Sequence, residues 1–183
     1  PIHFAAISGN DSTTKALIRK GAKYNARIKV AYNDGNIQRE LSCNALHLAI
    51  VFGQQAVFDS LWQEFKRRRL GLTLGNSINT LHLAVLFKQH VMLKYLISND
   101  STSKYNFNFY NQEDFEELTP LSLASYIRNI KSINILCNCA EVAINHQNSA
   151  GKTALHYAIE FCQESVIRRL VHYRADITLE CKI

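Results

Sequence analysis

Four stretches, Asn44-Ala45-Leu46-His47-Leu48-Ala49, Asn79-Thr80-Leu81-His82-Leu83-Ala84, Thr119-Pro120-Leu121-Ser122-Leu123-Ala124 and Thr153-Ala154-Leu155-His156-Tyr157-Ala158, are variants of one short pattern. A fifth, Pro1-Ile2-His3-Phe4-Ala5, opens the chain. Their common apolar position falls at Ile2, Leu46, Leu81, Leu121 and Leu155, so successive copies stand 44, 35, 40 and 34 residues apart. A unit of about 33 residues carrying insertions of different length explains all four intervals, and such a period signals stacked repeats.

The residue types within the pattern have physical reasons. Thr119 and Thr153 can accept a backbone N–H bond at a helix N-terminus, and Pro120 suits the first helical position, where no donor is lost. Each copy therefore begins a helix. Ala5, Ala49, Ala84, Ala124 and Ala158 place a small side chain at one position of that helix, letting a neighbouring helix approach closely. Apolar residues at three- and four-residue spacing predict a second helix in every unit, over 13–19, 57–65, 91–97, 130–137 and 165–173. One such pair has too little core to stand alone, whereas five stacked pairs share a continuous one.

The copies resemble the T-P-L-H-x-A signature of ankyrin repeats. Residues 153–178 follow that family's helix, turn, helix and closing segment without a gap, ending at Ala175-Asp176. Residues 1–26 do likewise, with Gly9 between the helices and Lys20-Gly21-Ala22 at the end. Ser122 stands where His is expected, Lys88, Arg128 and Cys162 stand where the inter-helix Gly is expected, and there is an extra residue near Ala140. The resemblance covers essentially the whole chain. It implies an all-α solenoid of stacked helix-turn-helix pairs with β-hairpin-like fingers, in one ankyrin-repeat domain with repeats at about 1–43, 44–78, 79–118, 119–152 and 153–183. Because the sequence starts inside the signature and stops where another finger would begin, a fragment of a longer protein is expected.

Composition and charge limit the alternatives. The chain has 183 residues, 47% of them hydrophobic and 20% charged, which is ordinary for a folded protein and too apolar for a disordered one. No apolar run reaches the roughly 18 residues of a membrane span, and no basic segment followed by an apolar core opens the chain. Five irregularly spaced cysteines argue for free thiols in a reducing, intracellular, cytoplasmic setting over a disulfide framework. The net charge of +6 is uneven: residues 1–99 carry +8, 100–127 carry −4 and 128–183 carry +2. That is patchiness and not a nucleic-acid signature.

Nothing in the sequence gathers a catalytic group, so no enzyme, no small-molecule substrate and no cofactor are expected. His3, His47, His82 and His156 recur at one repeat position, where the resemblance implies a structural hydrogen bond near the helix start. Cys137 and Cys139 with His146 match no four-ligand zinc spacing. There is no Gly-rich phosphate loop and no nucleophile elbow. The run Lys66-Arg67-Arg68-Arg69 ends a second helix, where positive charge is favoured, with an acidic partner as the sharper alternative.

A solenoid works through its concave surface and its loops, which accept insertions without disturbing the stack. Residues 27–43 add about ten residues around the turn signal Asn33-Asp34-Gly35-Asn36, predicting a projecting hairpin with Tyr32 and Asn33 at its tip. Residues 98–117 combine Tyr105, Phe107, Phe109, Tyr110 and Phe115 with the acidic group Glu113, Asp114, Glu116 and Glu117. By resemblance to the family, the residues just before the inter-helix turn face the concave surface. They are Ile7-Ser8, Val51-Phe52, Leu86-Phe87, Tyr126-Ile127 and Glu160-Phe161. A protein partner is therefore expected on Phe52, Phe87, Tyr126, Ile127 and Phe161, with Tyr32, Asn33, Phe109 and Tyr110 at the periphery. The competing reading is that these side chains pack on one another.

The function expected is that of a protein-interaction module. A different class of function is the recognition part of a larger enzyme whose catalytic domain lies elsewhere, and a third resembles ankyrin inhibitors that sequester transcription factors. Abundant Asn, Ile and Lys with irregular repeats also suit an ankyrin effector from an intracellular bacterium, or a viral ankyrin protein, working in a host cytoplasm or nucleus.

Overall fold

The computed structural model describes residues 1–33, 38–68, 80–98 and 118–182. They belong to two compact units, Pro1–Gly71 and Leu72–Ile183. The first unit contains helices α1 (Ile2–Ser8) and α2 (Asp11–Arg19), strands β1 (Ile28–Asn33) and β2 (Gln38–Cys43), then helices α3 (Ala45–Val51) and α4 (Gln55–Arg67). In the second are α5 (Thr80–Leu86), α6 (His90–Ser98), α7 (Pro120–Tyr126), α8 (Ile130–Cys137), α9 (Ala154–Glu160) and α10 (Glu164–His172). Each second helix falls within two residues of the boundaries predicted from spacing, and α8 matches at both ends.

Within each unit the first helices pack on one another, α1 on α3 and α5 on α7 on α9, and the second helices do the same. The shared apolar residue and the shared alanine of every copy are buried, from Ile2 and Ala5 to Leu155 and Ala158. The small residue thus serves the close approach that its position predicted.

Helix starts follow the expected chemistry with one variation. Asn44 Oδ1 accepts from the His47 N–H at 3.0 Å, while His47 Nδ1 accepts from the Asn44 N–H at 3.1 Å. Thr153 and His156 repeat this reciprocal arrangement. Histidine here fills the role that Glu or Gln plays in a capping box. In α7 the Thr119 hydroxyl accepts from the Ser122 N–H at 3.1 Å and donates to the Ser122 hydroxyl, so serine in the histidine slot leaves the cap intact.

Between paired helices the chain needs one residue in the left-handed region. Gly9 and Gly53 supply it at φ 73° and 68°. Lys88, Arg128 and Cys162 adopt the same conformation at φ 56°, 58° and 50°. Their departure from glycine changes the cost of the turn and not its geometry.

The residue after three of these turns also links pairs. Gln54 Nε2 donates to the Ile7 carbonyl at 3.0 Å, Asn129 Nδ2 to the Val85 carbonyl at 3.0 Å, and Gln163 Nε2 to the Tyr126 carbonyl at 3.2 Å. These links were not legible from spacing, because an amide side chain is as much at home on a helix surface.

Candidate interaction surfaces

The inserted hairpin forms as predicted. β1 and β2 pair antiparallel from Ile28 opposite Cys43 to Asn33 opposite Gln38. Alternation sorts the faces: Leu41 and Cys43 are buried and lie across from Val30 and Ile28, while Lys29 meets Glu40 at 2.8 Å on the exposed face. Tyr32 lies half-buried on the same face as Val30. Asn33 is the last residue of β1, and the tip at 34–37 lies outside the described residues.

Phe52 follows α3 directly, 45% exposed. In the second unit Phe87 and Ile127 occupy the equivalent place and are half-buried. Tyr126 is 45% and Phe161 47% exposed, although the two rings meet edge to face at 5.1 Å. Tyr126 also touches Tyr157 edge-on at 6.4 Å. Mutual packing and exposure therefore coexist, because each ring shields one side of the other and leaves its far side open. Phe109 and Tyr110 lie outside the described residues.

Sequence reasoning missed the support beneath this pair. Tyr157 is buried, its hydroxyl accepts from Asn148 Nδ2 at 3.0 Å, and the Lys152 ammonium sits 5.5 Å from its ring centre. Lys152 in turn pairs with Glu160 at 2.7 Å. The available signal was Tyr157 itself, an aromatic where three of the other copies have Leu48, Leu83 and Leu123 and the first has Phe4.

The basic run is tied down locally. Arg67 and Arg68 both bind Glu64 at 2.6 Å, and Arg68 stands 5.3 Å from the centre of the buried Tyr24 ring. The hydrogen bond from Arg67, reinforced by Arg68, holds the Glu64 carboxyl down to about 2. Arg69 lies outside the described residues.

The recurrent histidines are structural. Burial drives the His47 imidazole down to about 3, with Arg27 adding to the effect. Burial likewise holds His82 to about 4, against the opposing bond of its Nε2 to the Leu118 carbonyl at 2.8 Å. His3 Nε2 reaches the Ala26 carbonyl at 2.9 Å. The Cys137 thiol is pushed up to about 12 by burial, and Cys139 donates to Glu141 at 2.8 Å. Among the described residues no three His, Cys, Asp or Glu side chains gather as metal ligands, and no helix is long and apolar enough to cross a membrane.

Short helix pairs in tandem, left-handed turns and an inserted hairpin together define a helical repeat protein of the ankyrin class. A family model, ankyrin repeats in three copies, matches residues 81–181, more than half of the chain, and the chain belongs to that family. Among 358 matching chains of solved structures is the ankyrin repeat domain of Bcl-3, described as a unique member of the IkappaB protein family. It superimposes with a TM-score of 0.76 over 99% of this chain and 74% of that one, at 18% identity, which is a likeness of fold. No curated protein matches the sequence.

Proposed function

We propose that this chain is a protein-interaction module that holds a partner protein on the apolar residues preceding its inter-helix turns and on its inserted hairpin. The family supports binding in place of chemistry, since ankyrin repeats are generally interaction modules. The observation that carries the reading to particular residues is the exposure of Phe52, Tyr126 and Phe161 at nearly half their surface. Such rings gain roughly 1.5–3 kcal/mol each when a partner desolvates them fully. Tyr32 and Asn33 extend the surface in the first unit, Phe87 and Ile127 in the second, and Phe109 and Tyr110 belong to the same reading. An intracellular location fits the five unpaired thiols. A host-directed effector role is the finer form of this reading, supported by composition and irregular repeat length.

The test is affinity capture from a cell lysate with the double variant Phe52→Glu, Phe87→Glu and, separately, Phe161→Glu as controls. Partner recovery should fall at least tenfold with the helical circular-dichroism spectrum unchanged. Undiminished recovery by both variants would remove these residues from the interface.

A further inference from the structure

Two cations sit where glycine would cost least. Lys88 and Arg128 hold the left-handed turn positions that Gly9 and Gly53 fill in the first unit, and a side chain there costs on the order of 1 kcal/mol. Both are exposed, and they directly follow Phe87 and Ile127. Neither forms an ion pair with another described residue. Structural economy favours glycine at both places, so a strained backbone carrying, in two consecutive repeats, a charge with no ion-pair partner among the described residues points to a ligand for that charge.

The turns are also fixed side by side. Asn129, next after Arg128, donates to the Val85 carbonyl at 3.0 Å and meets His90 Nε2 at 3.1 Å through its Oδ1. Gln163, next after Cys162, donates to the Tyr126 carbonyl at 3.2 Å. Packed helices lie about 8–10 Å apart, so Lys88, Arg128 and Cys162 recur at roughly that interval. An extended chain advances about 3.3 Å per residue, and three residues therefore span one interval. Phe161, next before Cys162 in the following turn, meets Tyr126 edge to face, and both rings are exposed.

We propose that the second unit binds an extended acidic segment of a partner protein, with carboxylates three residues apart on Lys88 and Arg128 and an apolar side chain about three residues further on against Tyr126 and Phe161. The pattern is acid-x-x-acid-x-x-apolar, in either chain direction. It rests on the interaction reading above and names the chemistry of the partner. The apolar end distinguishes this ligand from a nucleic-acid backbone, which would want cations along the whole line. Charge sets recognition and association rate, while the ring pair supplies the anchor.

The experiment uses fluorescence anisotropy of the whole chain with labelled synthetic peptides, Glu-Ser-Ser-Glu-Ser-Ser-Leu and its reverse, beside the same peptides with Gln for Glu. At least one glutamate peptide should bind tenfold or more tightly than its glutamine form and weaken as salt rises. Lys88→Gly and Arg128→Gly should each weaken it about fivefold, as expected for one exposed ion pair. Both variants relieve the turn, so their melting temperatures should hold or rise, separating lost binding from lost folding. Equal binding of glutamate and glutamine peptides would overturn the inference and leave the interaction reading standing. No binding of either glutamate peptide, or tighter binding of single-stranded RNA of the same length, would also overturn it. The lysate capture with the Phe variants judges the broader reading independently.

Discussion

The two units solve one turn differently. In Pro1–Gly71 the helix pairs turn on Gly9 and Gly53, whereas in Leu72–Ile183 they turn on Lys88, Arg128 and Cys162 at nearly the same φ. The glycine turn is relaxed but presents nothing. The substituted turn carries strain and presents a side chain at the rim of the helix pair. Their likeness in geometry shows that the helices on either side dictate the turn, and that the residue in it is free to be chosen for other ends.

The broadest way to probe the comparison is acid, because each unit contains one deeply buried neutral histidine, His47 in the first and His82 in the second. Their folded values, about 3 and about 4, lie below the ordinary 6.5, so the unfolded chain takes up protons first. Their contribution to stability is complete above about pH 6.5 and is lost as pH falls toward 4. Each should cost its unit about 2 kcal/mol between pH 7 and pH 5. Urea unfolding at the two pH values measures this, and a flat profile would show that the imidazoles are reached by water.

Next in size is Gly9→Ala. A methyl group at this φ of 73° would fall 2.2 Å from Gln54 Oε1, displacing the side chain that reaches the Ile7 carbonyl. A loss of about 1–2 kcal/mol is expected in chemical denaturation. No loss would mean that the first unit tolerates the chemistry of the second.

The smallest effect runs the other way. Cys162→Gly places glycine in a turn of the second unit and should raise stability by up to about 1 kcal/mol. A lower melting temperature would show that the Cys162 side chain contributes contacts outweighing its backbone strain.

Much of this architecture was readable from spacing. The period located all five first helices, and three- and four-residue apolar spacing located the second ones because each buries a single stripe. The hairpin was readable because Ile28, Val30, Leu41 and Cys43 alternate with exposed positions across a turn signal. The surfaces were less legible. That Tyr126 leans edge-on against Phe161 while Tyr157 supports it from below depends on side-chain direction between repeats, which a linear alignment does not carry. The binding of Arg67 and Arg68 to Glu64 was within reach, since the acid precedes them by three and four residues on one helix. The glycine slots filled by Lys88 and Arg128 stood out as departures, yet only the side-by-side placement of their turns gives those charges a common direction.

The amide links from Gln54, Asn129 and Gln163 run backward along the chain, each to a carbonyl made earlier in synthesis. On a ribosome the acceptor is therefore waiting when its donor emerges, and these three helix pairs can each be fastened as they leave the tunnel. The imidazoles of His3 and His82 reach forward instead, to Ala26 and Leu118, and must stay open until those residues arrive. Growth of the array thus proceeds by closing bonds behind it while holding one socket ready ahead.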